Sequence, residues 1–315
     1  MFRYLVRRVG LLVLTLLLTS MLVFALTQFL PGDVARLILG RDASPQTVED
    51  FRERFGLNDP LPTQYVRWLT GLVQGNPGRS FSAGNPPVMP LVQSRLSNSL
   101  RLAALTLLIS VPISIAAGVI AALYVDTWVD GLISLISLAV VGLPEFVTGI
   151  VLINVFALGL HWFEATSLVR DNYTLVEWLR VLILPALTAS FVLFGYIARL
   201  TRAGMIDEMQ RPYVRTALLK GLLYRQIILK HVLRNALLPT ITVIAISTGW
   251  LMGGLVVIEN VYNYPGLGSL LVEAVDQKNL PVLQTVVILV VFIYAVANLV
   301  ADLLYAVLNP RVRLG

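Results

Sequence analysis

The sequence predicts an all-α integral membrane protein with six transmembrane helices, and three observations carry that prediction. Charged residues make up 13% of the 315-residue chain and hydrophobic residues 57%. That is roughly half the charge of a soluble domain, too little polar surface to coat a body in water. Five stretches, 9–32, 102–125, 181–198, 235–258 and 279–301, hold no charged residue, and each is close to or above the ~20 residues that cross a bilayer. A sixth, 131–163, carries the single charge Glu145. The absence of cysteine excludes a disulfide-stapled scaffold and a Cys-ligated metal centre.

Taken in order, residues 1–8 form an N-terminal tail and 9–32 the first span. Its apolar run is longer than that of a secretory leader, and no small-residue cleavage site follows it. Residues 33–99 form one long connection. Within it Ser44-Pro45 is an N-cap followed by proline, Val48, Phe51 and Phe55 make an apolar stripe, and Gly56 stops the helix. A second short helix carries Tyr65, Trp68, Leu69 and Leu72 and ends at Gly75. These amphipathic helices read either as a cap on the membrane surface or as a docking place for a delivery protein. The stretch from Gly75 to Pro90, rich in Gly, Pro, Asn and Ser, is a loop. Residues 100–310 hold the remaining five spans, and 311–315 form the C-terminal tail.

The basic residues orient the spans. Arg3, Arg7 and Arg8 precede the first, and Arg311 and Arg313 follow the last, so both termini are expected in the cytoplasm. Segment 199–235 carries Arg199, Arg202, Arg211, Arg215, Lys220, Arg225, Lys230 and Arg234 against Asp207 and Glu208. Its excess equals the +6 of the whole chain. The connections 161–180 and 261–278, which hold Arg170, Arg180 and Lys278, fall outside. Asp126 and Asp130, in the short loop after the second span, decide nothing, because acids count little in this rule.

Within the cytoplasmic segment, Gly221 separates 212–220 from 222–234, each able to form a short helix. Leu218 and Leu222, Leu219 and Leu223, and Leu223 and Ile227 fall four apart, with bases between them. The pattern reads as an amphipathic helix–turn–helix with a cationic rim. It suits anionic lipid or a soluble partner; nucleic acid is disfavoured, since no recognition module is present. No phosphate-binding glycine loop, dinucleotide fingerprint, catalytic triad motif or carboxylate pair within a span occurs, and His161 and His231 fall on opposite sides of the membrane. Catalysis therefore has little support in the residues, and the two histidines cannot share a metal.

The run Tyr213-Val214-Arg215-Thr216-Ala217-Leu218-Leu219-Lys220-Gly221 resembles the E-A-A-x-x-x-G loop of ABC importer permeases, in the form of the dipeptide, oligopeptide and nickel group. His231 to Pro239 is similar to that group as well. Arg215-Thr216 stands for Glu-Ala, and the proline falls later than in the general motif, both usual in the peptide branch. Leu30-Pro31-Gly32-Asp33, Phe55-Gly56-Leu57-Asn58-Asp59-Pro60, Gly75-Asn76-Pro77-Gly78-Arg79-Ser80, Glu259 to Gly268 and Asp302 to Arg311 extend the resemblance over nearly the whole chain. The resemblance implies a type I ABC importer permease of the bacterial inner membrane, non-catalytic, with dipeptides or oligopeptides as the expected substrates. Its expected partners are a second permease, two cytoplasmic ATPases that hold ATP and Mg, an extracytoplasmic binding protein and membrane lipid. Arg215, Thr216, Ala217, Lys220, Gly221, Leu222 and Arg225 are then expected to couple it to an ATPase. A stand-alone secondary transporter and an intramembrane enzyme are the alternatives.

Two polar features lie within spans. Glu145 follows Pro144 halfway along the third, where a charge faces either a cavity or a partner; it is a candidate wall of the translocation path or a structural acid. Asn298, Asp302, Tyr305 and Asn309 share one face of the last span, where inter-helix hydrogen bonding is expected. Pro112, Pro185 and Pro239 are expected to shape their helices.

Overall fold

A computed structural model describes residues 2–28, 34–40, 42–169 and 173–308. The helices in order are α1 (Phe2–Gln28), α2 (Val34–Leu39), α3 (Pro45–Phe55), α4 (Leu61–Val73), α5 (Val88–Leu123), α6 (Trp128–Gly142) and α7 (Glu145–Leu152). They continue as α8 (Leu175–Met209), α9 (Pro212–Leu219), α10 (Tyr224–Ile227), α11 (Leu233–Val261), α12 (Leu267–Asp276) and α13 (Leu280–Leu308). Wider π-helical turns follow α7 over Ile153–Gly159 and join α10 to α11 over Ile228–Val232. Among the described residues no strand occurs. The chain forms two compact units, 1–99 with 265–293, and 100–264 with 294–315.

The first unit gathers the long connection around the start of α13. Ser44 caps α3, its hydroxyl accepting from the Thr47 N–H at 3.1 Å, with Pro45 at the first helical position. At the other end Gly56 has φ +64°, and the Gly56 and Leu57 N–H groups close the helix onto Glu53 and Arg52 carbonyls. The Tyr65 and Trp68 rings of α4 lie 5.4 and 6.0 Å from Phe24 on α1, and the Tyr65 hydroxyl is 2.8 Å from that of Ser20. Val88 and Val92, Leu267, Leu270 and Ala274, and Val282 and Val286 form the core of this unit. The Asn279 side chain donates to Ser80 Oγ at 2.7 Å and accepts from the Phe81 N–H at 3.1 Å, pinning the loop to α13.

Three boundaries differ from those read in the sequence. The first helix begins at Phe2, inside the segment read as a tail, and ends at Gln28; Pro31, Gly32 and Asp33 lie outside the described residues. The long connection ends at Pro87, because 88–99 are the first turns of α5. Residues 265–293 pack with 1–99 instead of with the remainder of 100–310. Their apolar surface is matched by Val88 and Val92, a long-range pairing that hydropathy does not encode.

In the second unit α8 is the central helix, burying Leu184, Leu193, Ile197 and Met205 among others. It starts on a capping box, with Thr174 and Glu177 bonding each other's backbone N–H groups. Helices α5, α8 and α11 run through Pro112, Pro185 and Pro239.

The third hydrophobic stretch is not a straight span. Its two helices meet at 107°, because Pro144 has no N–H to donate and holds Leu143 extended at φ −86°, ψ 130°. Helix α6 alone, 15 residues or roughly 22 Å, falls short of the ~30 Å hydrocarbon layer. The pair nonetheless makes one crossing, since it steps along α8 from end to end. Asp130 meets Arg202, a side chain on Gly195 would strike the Ser137 carbonyl, Gly149 lies against Thr188, and Arg180 donates to the Trp162 carbonyl. With five other apolar helices of sufficient length, six spans result.

Candidate functional site

The segment between α8 and α11 is a folded protrusion. Arg211 is extended, Pro212 opens α9, and the Tyr213 hydroxyl donates to Glu208 at 2.8 Å. Burial pushes the Tyr213 phenol above its ordinary pKa, which keeps it a neutral donor. Val214, Ile227, Ile228 and Val232 are buried together with Met205, Ala122 and Ala236. This cluster clamps α9 and the π-turn onto α8 and α5.

Helix α9 ends in two bonds, Gly221 N–H to the Leu218 carbonyl at 3.0 Å and Leu222 N–H to the Ala217 carbonyl at 3.3 Å. They require the positive φ of Gly221, +74°. Beyond it α10, the π-turn and α11 run without interruption, so the expected second short helix is the start of the fifth span.

Here the expected amphipathic pattern is corrected. Leu219 and Leu223 are 82% and 67% exposed, and Leu218, Leu222 and Tyr224 are also exposed. The buried side is Val214, Ile227, Ile228 and Val232 instead. Counting four residues across Gly221 assumes a continuous helix, and the left-handed glycine ends it. The leucines thus form the outward tip of the protrusion. Arg215, Lys220 and Arg225 are exposed beside them, as are Thr216, Gly221 and Leu222, while Ala217 is half-buried.

Glu145 is the first residue of α7, at the bend. Its carboxylate faces the backbone of α11, where a Cβ placed on Gly254 would lie 3.4 Å from Oε1. Gly142, Leu143, Pro144 and Phe146 around it are exposed. Asn298 and Asp302 are half-buried on α13; the Tyr305 side chain and Asn309 lie outside the described residues. Among the described residues no group of three His, Cys, Asp or Glu could hold a metal ion.

Two constellations were not read from the sequence. Arg202 on α8 holds Asp130 of α6 through two bonds, Nε–Oδ1 at 2.5 Å and Nη2–Oδ2 at 2.6 Å. Ser134 and the Asp126 N–H complete the carboxylate's partners. The buried Tyr262 hydroxyl lies 2.8 Å from that of Thr188 and donates to the Gly149 carbonyl at 3.2 Å, tying α7, α8 and the end of α11. Pairs so far apart leave no periodic trace.

Helices long and apolar enough to cross a bilayer, with a folded protrusion clamped at its base between α8 and α11, define a multi-pass membrane protein. The chain belongs to the family of binding-protein-dependent transport system inner membrane components, whose profile matches residues 114–314, with the companion N-terminal profile matching 1–115. It is 36% identical over 310 residues to a probable peptide ABC transporter permease, y4tP, of Sinorhizobium fredii, covering 98% of this chain and 99% of that protein. It is 37% identical over 313 residues to the glutathione transport system permease GsiC of Escherichia coli, covering 99% of each. It is therefore the multi-pass permease subunit of a binding-protein-dependent ABC importer of the inner membrane.

Proposed function

We propose that this permease imports peptides, dipeptides or oligopeptides and small relatives such as glutathione, and forms half of the pathway beside a second, non-identical permease. The names of its relatives support the substrate class. In this reading the termini and the Gly221 protrusion are cytoplasmic, as the eight bases of 199–235 favour. The chain is non-catalytic; two ATPase subunits hold ATP and Mg, and an extracytoplasmic binding protein delivers the peptide. The observation that carries the reading is the exposed leucine tip around Gly221, rimmed by Arg215, Lys220 and Arg225 on a clamped base. An apolar tip of this kind fits a groove on an ATPase, and its continuity with α11 transmits a push without loss in a loop.

The test separates docking from folding. Leu219→Glu places a charge where nothing is buried, so the permease keeps its elution profile. Co-purification of the ATPases and peptide uptake then fall about tenfold or more, the effect of roughly 1.4 kcal/mol at an interface. Gly221→Asn, which tolerates left-handed φ, retains function; Gly221→Glu adds strain of about 1–2 kcal/mol and a charge, and uncouples uptake. Full uptake and unchanged assembly in Leu219→Glu refute the docking role.

Glu145 is assigned to the wall of the pathway on the strength of its place at the bend, among exposed residues and opposite Gly254. A carboxylate there attracts the ammonium end of a peptide. Glu145→Gln is expected to lower uptake of peptides with a free N-terminus several-fold and to leave N-acetylated peptides unaffected. Equal effects on both would exclude the assignment.

A further inference from the structure

The long connection between the first two spans holds a cavity of about 490 Å³, formed wholly within the first unit. One wall is a face of α3 with Asp50, Phe51 and Arg54, and Ile38 and Leu39 of α2 and the turn 81–85 close it. Its apolar side is fixed from behind. The Phe51, Phe55 and Phe81 rings lie with centroids 4.6 to 5.5 Å apart, and the Phe81 N–H is held by Asn279 at 3.1 Å. The Asn85 N–H bonds the Ser82 carbonyl at 3.0 Å and closes the turn.

Two opposite charges border this apolar side. Asp50 and Arg54 stand four residues apart on one helix face, the spacing at which such side chains pair. They form no ion pair with each other or with any other described residue. Arg54 is drawn to the turn instead: with its amide oriented to meet donors, Asn85 accepts from both terminal Arg54 nitrogens, at 3.2 and 3.3 Å. The guanidinium keeps further N–H donors. Asp50 takes a 3.3 Å bond from Gln46 on Oδ1 alone, which leaves Oδ2 to a ligand. Charges of both signs, held apart beside aromatic and aliphatic walls, match a zwitterion with apolar side chains. The separation matches as well. Four residues of helix rise about 6 Å, and two extended residues reach at most about 7 Å.

We infer that this cavity binds a short peptide with free termini, a dipeptide above all. Asp50 holds the ammonium, Arg54 the carboxylate, and Phe51 and Phe81 receive the side chains. The inference rests on the peptide reading above and deepens it. In the orientation proposed there, the connection lies on the extracytoplasmic side, where the peptide arrives.

The importer, purified with its accompanying membrane and ATPase subunits in nanodiscs and without its binding protein, is titrated with alanylphenylalanine by saturation-transfer NMR. Saturable binding is expected, and blocking either end of the peptide, as the N-acetyl form or the amide, weakens it about fivefold, the upper end for an exposed ion pair. Asp50→Asn weakens the free dipeptide about fivefold and leaves the N-acetyl form unchanged. Arg54→Gln does the same with the amide unchanged, and Arg54→Lys recovers part of the loss. A folding defect would lower all three ligands alike, so the crossed pattern reads the site itself. Equal binding by wild type and both variants, or equal losses for free and blocked peptides, overturn the inference. So does a loss confined to affinity for the binding protein, which marks a docking surface. Uptake of the same dipeptide, with the binding protein restored, separates the two readings. Uptake without the crossed pattern refutes the cavity alone, and neither uptake nor binding refutes the dipeptide substrate and the cavity with it.

Discussion

Arg202→Ala is expected to destabilise the permease more than Asp130→Ala, read as the thermal midpoint of the detergent-purified protein. The two side chains form one ion pair but are unequally covered, 7% exposed for Asp130 and 30% for Arg202. Removing the arginine strands a buried carboxylate with only Ser134 and one backbone N–H, a loss of about 3 kcal/mol, at the lower end for broken buried pairs. Removing the aspartate leaves an arginine whose long stem can carry its charge to water, so the loss is about 1–2 kcal/mol. The exchanged pair, Asp130→Arg with Arg202→Asp, recovers part of the stability. Equal midpoints in the two single variants would show that the pair is solvated and contributes little.

The second large effect is expected at Gly204. A Cβ there would lie 2.7 Å from the Ala236 carbonyl, so α8 and α11 touch through their backbones. Gly204→Val forces them apart and costs about 2–3 kcal/mol or more, since neither backbone can yield alone. The displacement also opens the cluster of Met205, Ile227 and Val232, which clamps the protrusion, so uptake falls beyond what the lower stability explains. Gly131→Ala is the control, because nothing lies within 4 Å of its Cβ. It is expected to be neutral or to gain up to about 1 kcal/mol of helix propensity. A Gly204→Val protein with wild-type midpoint and uptake would mean that the two helices are not held at this distance.

The legible parts of this fold share a property. The caps of α3, Ser44 and Gly56, and the glycine that stops α9 act through their own neighbours in sequence, so their residue types announce them. The leucines beyond Gly221 show the opposite. Their spacing is regular, yet the chain turns at the glycine and the regularity ends up on an exposed tip. Glu145 was visible as a charge in an apolar run and Pro144 as a break. That the break bends the third span by 107°, with the carboxylate opposite Gly254, was not.

By itself the sequence determined that the chain is a membrane protein with six crossings, a basic segment before the fifth, and a place among importer permeases. Long apolar runs have no other stable solution than the bilayer, and the bases cannot be drawn across it. Tertiary structure alone decided which helix is central, which leucines face outward, and that Asp130 finds Arg202 at a separation of 72 residues. It likewise decided that Gly56, Arg79 and Gln284 wall one cavity. Hydropathy and spacing report the environment of a residue and its neighbours within a turn or two. The choice of a distant partner depends on how whole helices pack, and no local pattern records it.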